Sequence, residues 1–148
     1  MSILFSKSCE YAFQAIIYLA ARPPGKPALQ REISNALNIP PHFLGKILQT
    51  LRNHGYITSQ KGKTGGFLLK NSSRDLSLYG IAQLFEGPEF LENCVIGFPG
   101  CSDDTPCPFH EEWKIAKELI YKMIKNNQID ELSELIDSKL NYIKDIEY

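Results

Sequence analysis

The 148-residue sequence contains no apolar run that approaches the roughly 18 residues of a membrane-spanning helix. It also lacks a glycine-rich phosphate-binding motif between a strand and a helix, and it offers no convincing pair of nucleophile and base. A catalytic enzyme is therefore a poor interpretation, and no membrane partner is expected. The apolar stretch at 11–21 adjoins Glu10 and contains Gln14, so we interpret it as a retained amphipathic helix rather than a signal peptide and expect a cytoplasmic protein.

Charge is nearly balanced over the whole chain, with a formal net charge of −1, but it is unevenly distributed. Residues 1–76 carry ten Lys and Arg and three acidic residues, whereas residues 77–148 carry six Lys and fourteen acidic residues. A basic half beside an acidic half suggests that only the first half faces a polyanion such as nucleic acid. Chance variation of solvated surface charge is the alternative.

Three helices and a β-hairpin are predicted in the basic half. The first helix runs from Ser8, as its cap, to about residue 22, the second spans 29–37, and the third follows Pro40-Pro41 and is closed by Gly55. Two β-prone runs then flank seven residues that include three glycines, which is typical of a hairpin turn. Helix, turn, helix and basic hairpin is the order of a winged helix-turn-helix domain.

The third helix and the hairpin supply the candidate DNA contacts, because the first residues of a recognition helix face base edges and phosphate contacts surround them. The helix candidates are Pro41, His42, Phe43, Lys46, Gln49 and Arg52, and the hairpin candidates are Lys61, Lys63 and Thr64. Phe43 fits a core position equally well, and the basic residues also fit an ordinary solvated surface. The helix pair, the glycine-rich hairpin and the positive charge together favour double-stranded DNA as the partner.

Three of the four cysteines lie in a stretch without clear periodicity, with the spacing Cys94-x6-Cys101-x5-Cys107, and His110 follows as Cys-x2-His. Cytosolic cysteines clustered in a loop more often bind metal or catalyse reactions than form disulfides. The spacing matches neither the tight pairs of structural zinc sites nor the ferredoxin pattern, and it suits thiolates that surround a cluster larger than one ion. Zinc and a metal-free thiol switch are the alternatives.

Two further features bear on the cysteine loop. Cys107 precedes Pro108 at the start of a predicted helix, where unpaired amides and the helix dipole favour the thiolate that a metal needs. His110 lies within the first turn of that helix and is a candidate fourth ligand. Cys9 lies far from the group in the sequence, on the first helix, and is interpreted as a small buried hydrophobe.

The last third of the chain is predicted to contain a long helix from Pro108 and a final helix from about 130 to 143. The narrow apolar seam of the long helix indicates packing against another helix, such as that of a second subunit, and consists of Phe109, Trp113, Ala116, Ile120 and Met123. We therefore divide the chain into a DNA-binding domain at 1–76, a connecting helix with the cysteine-rich loop at 77–107, and a dimerisation region at 108–148.

The chain resembles the Rrf-two family of bacterial transcription regulators over nearly its whole length. The resemblance is carried by Glu10-Tyr11-Ala12, by the helix-turn-helix at 29–55, and by Lys61-Gly62-x-x-Gly65-Gly66-Phe67 in the wing. The sequence departs from the family pattern at Lys61, where the family usually has Arg, and at Gly45, a position of the recognition helix where a side chain is expected to help read bases.

The cysteine loop up to Trp113 is similar to the cluster-binding loop of the family's iron–sulfur-cluster regulator, with a first gap that is one residue longer. This resemblance implies a homodimer in which three cysteines and one histidine hold a [2Fe–2S] cluster. Other family members take the fourth ligand as a carboxylate from the first helix of the partner subunit. Glu10 occupies the matching place here, so it competes with His110, which we favour.

Together these features predict a mainly α-helical protein with a small β-hairpin wing, built as a winged helix-turn-helix domain plus a long dimerisation helix. We expect a DNA-binding transcriptional regulator whose operator binding is controlled by an iron–sulfur cluster that senses redox state, the supply of iron or clusters, or nitric oxide. A zinc-stabilised or thiol-redox repressor shares the DNA-binding half and is one alternative. A redox or electron-transfer protein on a winged-helix scaffold is the other.

Overall fold

The computed structural model describes residues 3–146 and is mainly helical, with one two-stranded antiparallel sheet, as predicted. Its elements are α1 (Lys7–Ala21), α2 (Gln30–Leu37), α3 (Pro41–Asn53), β1 (Ile57–Gln60), β2 (Gly66–Leu69), α4 (Tyr79–Glu86), α5 (His110–Lys125), α6 (Ile129–Ser133) and α7 (Asp137–Asp145). Among the described residues, no helix combines the length and the apolar character that a membrane span needs.

Helix α1 forms the centre of the core. Its buried face includes Ala12, Ala15 and Ile16, none of which is exposed to solvent, and α3, α4 and α6 all pack against the helix. Alanine carries no bulk beyond Cβ, so the neighbouring helices can approach closely. The predicted cap at Ser8 is wrong: Ser6 caps the helix, since its Oγ accepts a hydrogen bond of 3.2 Å from the amide of Cys9.

Helices α2 and α3 form the predicted helix-turn-helix. The turn between them passes through Asn38, which adopts the left-handed conformation with φ of 54°, and through the buried Ile39. The hydroxyl of Ser34 donates to the carbonyl of Ile39 and so satisfies a polar group inside the turn. Helix α3 then buries one stripe of leucine and isoleucine and leaves its opposite face in solvent.

The hairpin pairs Ile57 with Leu69 at its base and Gln60 with Gly66 near its tip. An additional antiparallel bridge joins Phe67 to Ala28, so the chain before α2 extends the hairpin by one short pairing. Gly66 lies at this contact with φ of +136°, and a Cβ added there would lie 2.4 Å from the carbonyl oxygen of Ala28. Only glycine allows this close approach of the wing to the helix-turn-helix.

The end of the chain differs from the prediction, because the single helix expected from about 130 to 143 is divided into α6 and α7. The Ser133 hydroxyl donates a hydrogen bond of 2.6 Å to the carbonyl of Asp130, and α6 ends at Ser133. Helix α7 then packs against α2. The predicted long helix is present as α5, but it begins at His110 rather than at Pro108.

Arg74 fastens α6 to the core. Its guanidinium donates to a carboxylate oxygen of Asp130 over 2.7 Å and to the carbonyl of Ala20, at the end of α1, over 3.2 Å. The amide of Ile129 also donates to the carbonyl of Leu76 over 2.8 Å. The segment that follows α5 is therefore attached directly to the helix that supports the helix-turn-helix.

Replacing Gly66 by Ala is expected to destabilise the protein more than replacing Gly62. Both glycines have positive φ, so a side chain at either position strains the backbone by about 1–3 kcal/mol. Only at Gly66 does the added Cβ also meet a backbone atom, whereas Gly62 has nothing within 4 Å. The free energy of unfolding in urea measures the difference, and equal losses in the two variants would contradict the proposed contact.

Candidate metal centre and nucleic-acid interface

The outer face of α3 presents most of the residues predicted to contact DNA. Pro41, His42, Lys46, Gln49 and Arg52 are all exposed. They share this face because the buried stripe of the helix consists of Leu44, Ile47, Leu48 and Leu51. The arrangement leaves the first two turns of α3 accessible to a groove of the duplex, as a recognition helix requires.

Phe43 differs from the other residues proposed on α3, since its side chain is half-buried. Its ring packs edge-on against Tyr11 of α1, with ring centroids 5.5 Å apart. Of the two interpretations of Phe43, the packing role is the one for which the structure supplies a contact. Arg52 is partly engaged as well, since it donates to the Ser59 hydroxyl over 3.4 Å and joins α3 to the hairpin.

The absence of a side chain at Gly45 is explained by packing against α2, which the sequence alone did not indicate. A Cβ at this position would lie 2.9 Å from the side-chain nitrogen of Gln30, at the start of α2. That nitrogen donates to the carbonyl of Pro41 over 2.7 Å and ties the two helices together. The glycine therefore leaves space for a helix–helix hydrogen bond.

The residues at the tip of the hairpin before Gly65 are exposed to solvent. Lys61, Lys63 and Thr64 are exposed, and the segment that carries them turns through Gly62 and Gly65. Gly65 itself is buried, and a Cβ there would lie 2.2 Å from the carbonyl oxygen of Gln60. The hairpin thus folds tightly enough to present two ammonium groups on one short loop, which suits contacts with phosphate or with the minor groove.

The three loop cysteines come together as predicted. The sulfur atoms of Cys94, Cys101 and Cys107 all lie within 4.8 Å of one another, and those of Cys94 and Cys107 are 3.6 Å apart. All three side chains are partly buried. A thiolate is the form that binds metal, and three thiolates so close together repel one another unless a cation lies between them.

The thiols are not equivalent. Desolvation raises the pKa of the Cys94 thiol, but hydrogen bonds from the backbone of Ile96 and Phe98 act in the opposite direction, and the pKa is lowered to about 7. The backbone of Phe109 at the start of the helix lowers the pKa of Cys107, as expected, but it does not decide the net shift. Desolvation and the two neighbouring thiols raise the pKa of Cys107, and they outweigh the opposing effect of the Phe109 backbone.

His110 joins the thiol group through one nitrogen of its ring. Its Nδ1 lies 3.3 Å from the sulfur of Cys101, and its Nε2 lies 2.9 Å from a carboxylate oxygen of Asp103. The hydrogen bond from His110 and the contact with Lys114 hold the pKa of Asp103 below its ordinary value. Residue types alone do not indicate Asp103, because nothing in the sequence distinguishes it from the adjacent Asp104.

Glu10, the proposed rival of His110, is not part of the thiol group within residues 3–146. Its carboxylate forms an ion pair of 3.4 Å with Lys7, on the same helix. A role as a ligand supplied by a second subunit stays a prediction.

The exposed apolar face of α5 coincides in part with the predicted seam. Ile115, Leu119 and Met123, spaced four residues apart, have half or more of their surface exposed, whereas Trp113 is half-buried. The indole of Trp113 donates to the carbonyl of Asn93 over 2.9 Å and so holds the cysteine loop on the helix. The exposed stripe therefore shares Met123 with the seam proposed from spacing, of which Phe109 is exposed as well, and it adds Ile115 and Leu119.

A groove with a volume of about 360 Å³ lies between the cysteine loop and α5. It is lined almost wholly by apolar surface, from Val95, Ile96, Phe109, Trp113 and Ala116, with Glu112 at its edge. This groove continues the apolar character of the exposed α5 stripe toward the loop.

An exposed recognition helix, a basic glycine-rich hairpin and a helix-turn-helix core define a winged helix-turn-helix protein. The sequence profile described as "Rrf2: Iron-dependent Transcriptional regulator" matches residues 5–135. The chain therefore belongs to the Rrf2 family of transcriptional regulators.

Individual relatives agree with this assignment. The chain is 30% identical over 140 residues to the Aquifex aeolicus protein named "Putative HTH-type transcriptional regulator", which covers 93% of this chain and 96% of that protein. In structure it is similar to CymR, the global cysteine regulator of B. subtilis, with a TM-score of 0.75, 20% identity and coverage of 92% of this chain and 100% of that one. It is also similar to IscR of T. potens, with a TM-score of 0.70, 19% identity and coverage of 94% and 90%.

Proposed function

We propose that this protein is a homodimeric transcriptional regulator whose operator binding is controlled by an iron–sulfur cluster held by Cys94, Cys101, Cys107 and His110. The observation that carries the proposal is the convergence of three sulfur atoms within 4.8 Å of one another, with an imidazole nitrogen 3.3 Å from one of them. The description of the family as iron-dependent supports the choice of metal.

The donor set fits such a group. Thiolate sulfur and imidazole nitrogen are ligands of iron–sulfur clusters and of zinc, and hard cations that prefer oxygen are disfavoured. Four protein donors suffice for a [2Fe–2S] cluster, which is the type proposed here. When bound, a cluster of this kind supplies one-electron redox chemistry and a site that nitric oxide attacks.

The contacts of the loop suggest how a change at the thiols reaches DNA. Trp113 and His110 attach the loop to α5, and α6, which follows α5, is fastened by Arg74 to the end of α1. A rearrangement of the loop therefore acts on a helix that leads to the core of the DNA-binding domain. Because half-site spacing is geometric, a shift of the two recognition helices relative to each other changes operator affinity.

The exposed stripe of α5 supports the dimer. Ile115 and Leu119 expose 68% and 64% of their surface, and a soluble monomer rarely leaves such residues in one continuous row with an apolar groove beside them. A second copy of the same helix is the occupant that matches the stripe, since a two-fold axis brings identical apolar faces together.

A zinc-stabilised or thiol-switch regulator is the second candidate. Three thiols within 4.8 Å of one another and one imidazole also suit a single tetrahedral zinc ion. Anaerobic purification followed by iron, acid-labile sulfide and zinc analysis separates the two candidates. Iron and sulfide in equal amounts with a visible absorption band support the cluster, and zinc alone without colour contradicts it.

Replacing Cys101 by Ala is expected to abolish the visible band of the anaerobically purified protein and to remove most of its iron and sulfide. The sulfur of Cys101 contacts both His110 and the Cys107 amide, so its loss removes one ligand and releases another. Cys9→Ala is the matched control, because Cys9 is buried in α1 away from the loop. An unchanged spectrum in Cys101→Ala would contradict the ligand assignment.

Replacing Lys61 and Lys63 together by Ala is expected to weaken DNA binding about tenfold or more and to flatten its salt dependence. Each lysine that neutralises a phosphate contributes about one unit to the slope of log K against log salt concentration. The measurement is fluorescence anisotropy with promoter DNA at several salt concentrations. Lys139→Ala with Lys144→Ala on α7 gives the same charge change, and a slope that changed equally in both pairs would contradict a specific role for the wing.

Replacing Leu119 by Glu is expected to convert the dimer to a monomer at micromolar concentration. A two-fold interface would bury two copies of the new carboxylate, one from each subunit, without a hydrogen-bonding or cationic partner, and this costs several kcal/mol in all. Sedimentation velocity measures the change. Leu135→Glu is the control, because Leu135 exposes 78% of its surface between α6 and α7, outside the α5 stripe. A monomeric native protein, or a dimeric Leu119→Glu variant, would contradict the α5 interface.

A further inference from the structure

The ring of His110 is engaged at both nitrogens. Nε2 lies 2.9 Å from the Oδ1 atom of Asp103, and Nδ1 lies 3.3 Å from the sulfur of Cys101. A carboxylate only accepts hydrogen bonds, so Nε2 must carry a proton. In a neutral imidazole the other nitrogen then offers its lone pair, and here that lone pair faces the thiol group.

Asp103 is itself fixed by the helix. The same Oδ1 atom receives a hydrogen bond of 3.0 Å from the ammonium of Lys114, one turn after His110 on α5. The carboxylate thus joins the cysteine loop to α5 although 72% of its side chain is exposed, whereas the His110 side chain is only 11% exposed. Asp104, the next residue, is exposed and takes no part in these contacts.

We propose that Asp103 is a positioning residue that sets the tautomer and the orientation of His110, so that Nδ1 is the nitrogen offered to metal. The inference rests on the proposed function, because a metal held by the thiols is what this lone pair faces. A carboxylate that accepts from the distal N–H of a ligand histidine fixes the ring and increases its basicity. Loss of such a partner typically lowers metal affinity about 10–100-fold.

The first test uses metal-free, reduced protein at a pH where the imidazole is neutral. Long-range ¹H–¹⁵N NMR distinguishes the two tautomers, and the chain has only three histidines to assign. We expect the Nε2-protonated form for His110 in the native protein and in Asp104→Ala, and a mixture of tautomers in Asp103→Ala. Asp103→Asn keeps an acceptor oxygen and is expected to restore much of the native tautomer.

The second test measures cobalt(II) binding to the same proteins through the thiolate-to-cobalt absorption band. Asp103→Ala is expected to bind cobalt(II) about tenfold or more weakly than Asp104→Ala. In a His110→Ala background, adding Asp103→Ala is expected to cause no further loss, because a residue that acts through His110 has nothing left to position. Circular dichroism checks that the variants retain the native helix content.

The outcomes separate this inference from the proposed function. The role of Asp103 is overturned if Asp103→Ala matches Asp104→Ala in tautomer or in cobalt(II) affinity, or if its effect on affinity persists without His110. Native protein that holds neither iron nor sulfide would contradict the cluster but not Asp103, because neither test requires a cluster.

Discussion

The packing of helices against α1 is the constraint on which the rest of the structure depends. Ala12, Ala15 and Ile16 are fully buried, and helix α3 of the helix-turn-helix, the connecting helix α4 and helix α6 all pack against this one helix. Protein cores are close-packed, so a displacement of one of these helices must be accommodated by the others. The helix-turn-helix and the segment that follows α5 therefore share a core, although the sequence places them far apart.

The cysteine loop is stabilised in a different way. Between Gly87 and Phe109 the chain contains no regular element among the described residues, and Val95, Ile96 and Phe98 are about half exposed. A few specific contacts hold it on α5, mainly those of Trp113 and His110. A segment that buries so little apolar surface would gain much of its order from the proposed metal, since the free energy of binding would then be free energy of folding.

Periodic apolar residues allowed most of the fold to be predicted, because α1 and α3 bury one face and the hairpin is bounded by glycines. The differences arose where a tertiary contact or a local side-chain hydrogen bond decides the structure. The lack of a side chain at Gly45 is explained by Gln30, which lies fifteen positions earlier in the chain and occupies the space that a Cβ would need. The division of α6 from α7 is explained by local hydrogen bonding around Ser133. The three cysteines could be proposed as ligands from their types, but only geometry separates Asp103 from Asp104.

The link between the loop and the core has a thermodynamic consequence for the proposed regulator. If binding of a metal or cluster by the thiols changes the affinity of the protein for its operator by some factor, then operator binding must change the affinity of the thiol site for that metal or cluster by the same factor. The contacts that would carry this coupling include the Trp113 and His110 attachments at one end of α5, the packing of Tyr121 against Tyr79 of α4, and the Arg74 contacts beyond the other end of α5. Arg74, which joins Asp130 to Ala20, adds hydrogen bonds to the packing of α6 against α1, so its removal is one way to weaken the coupling without touching either site.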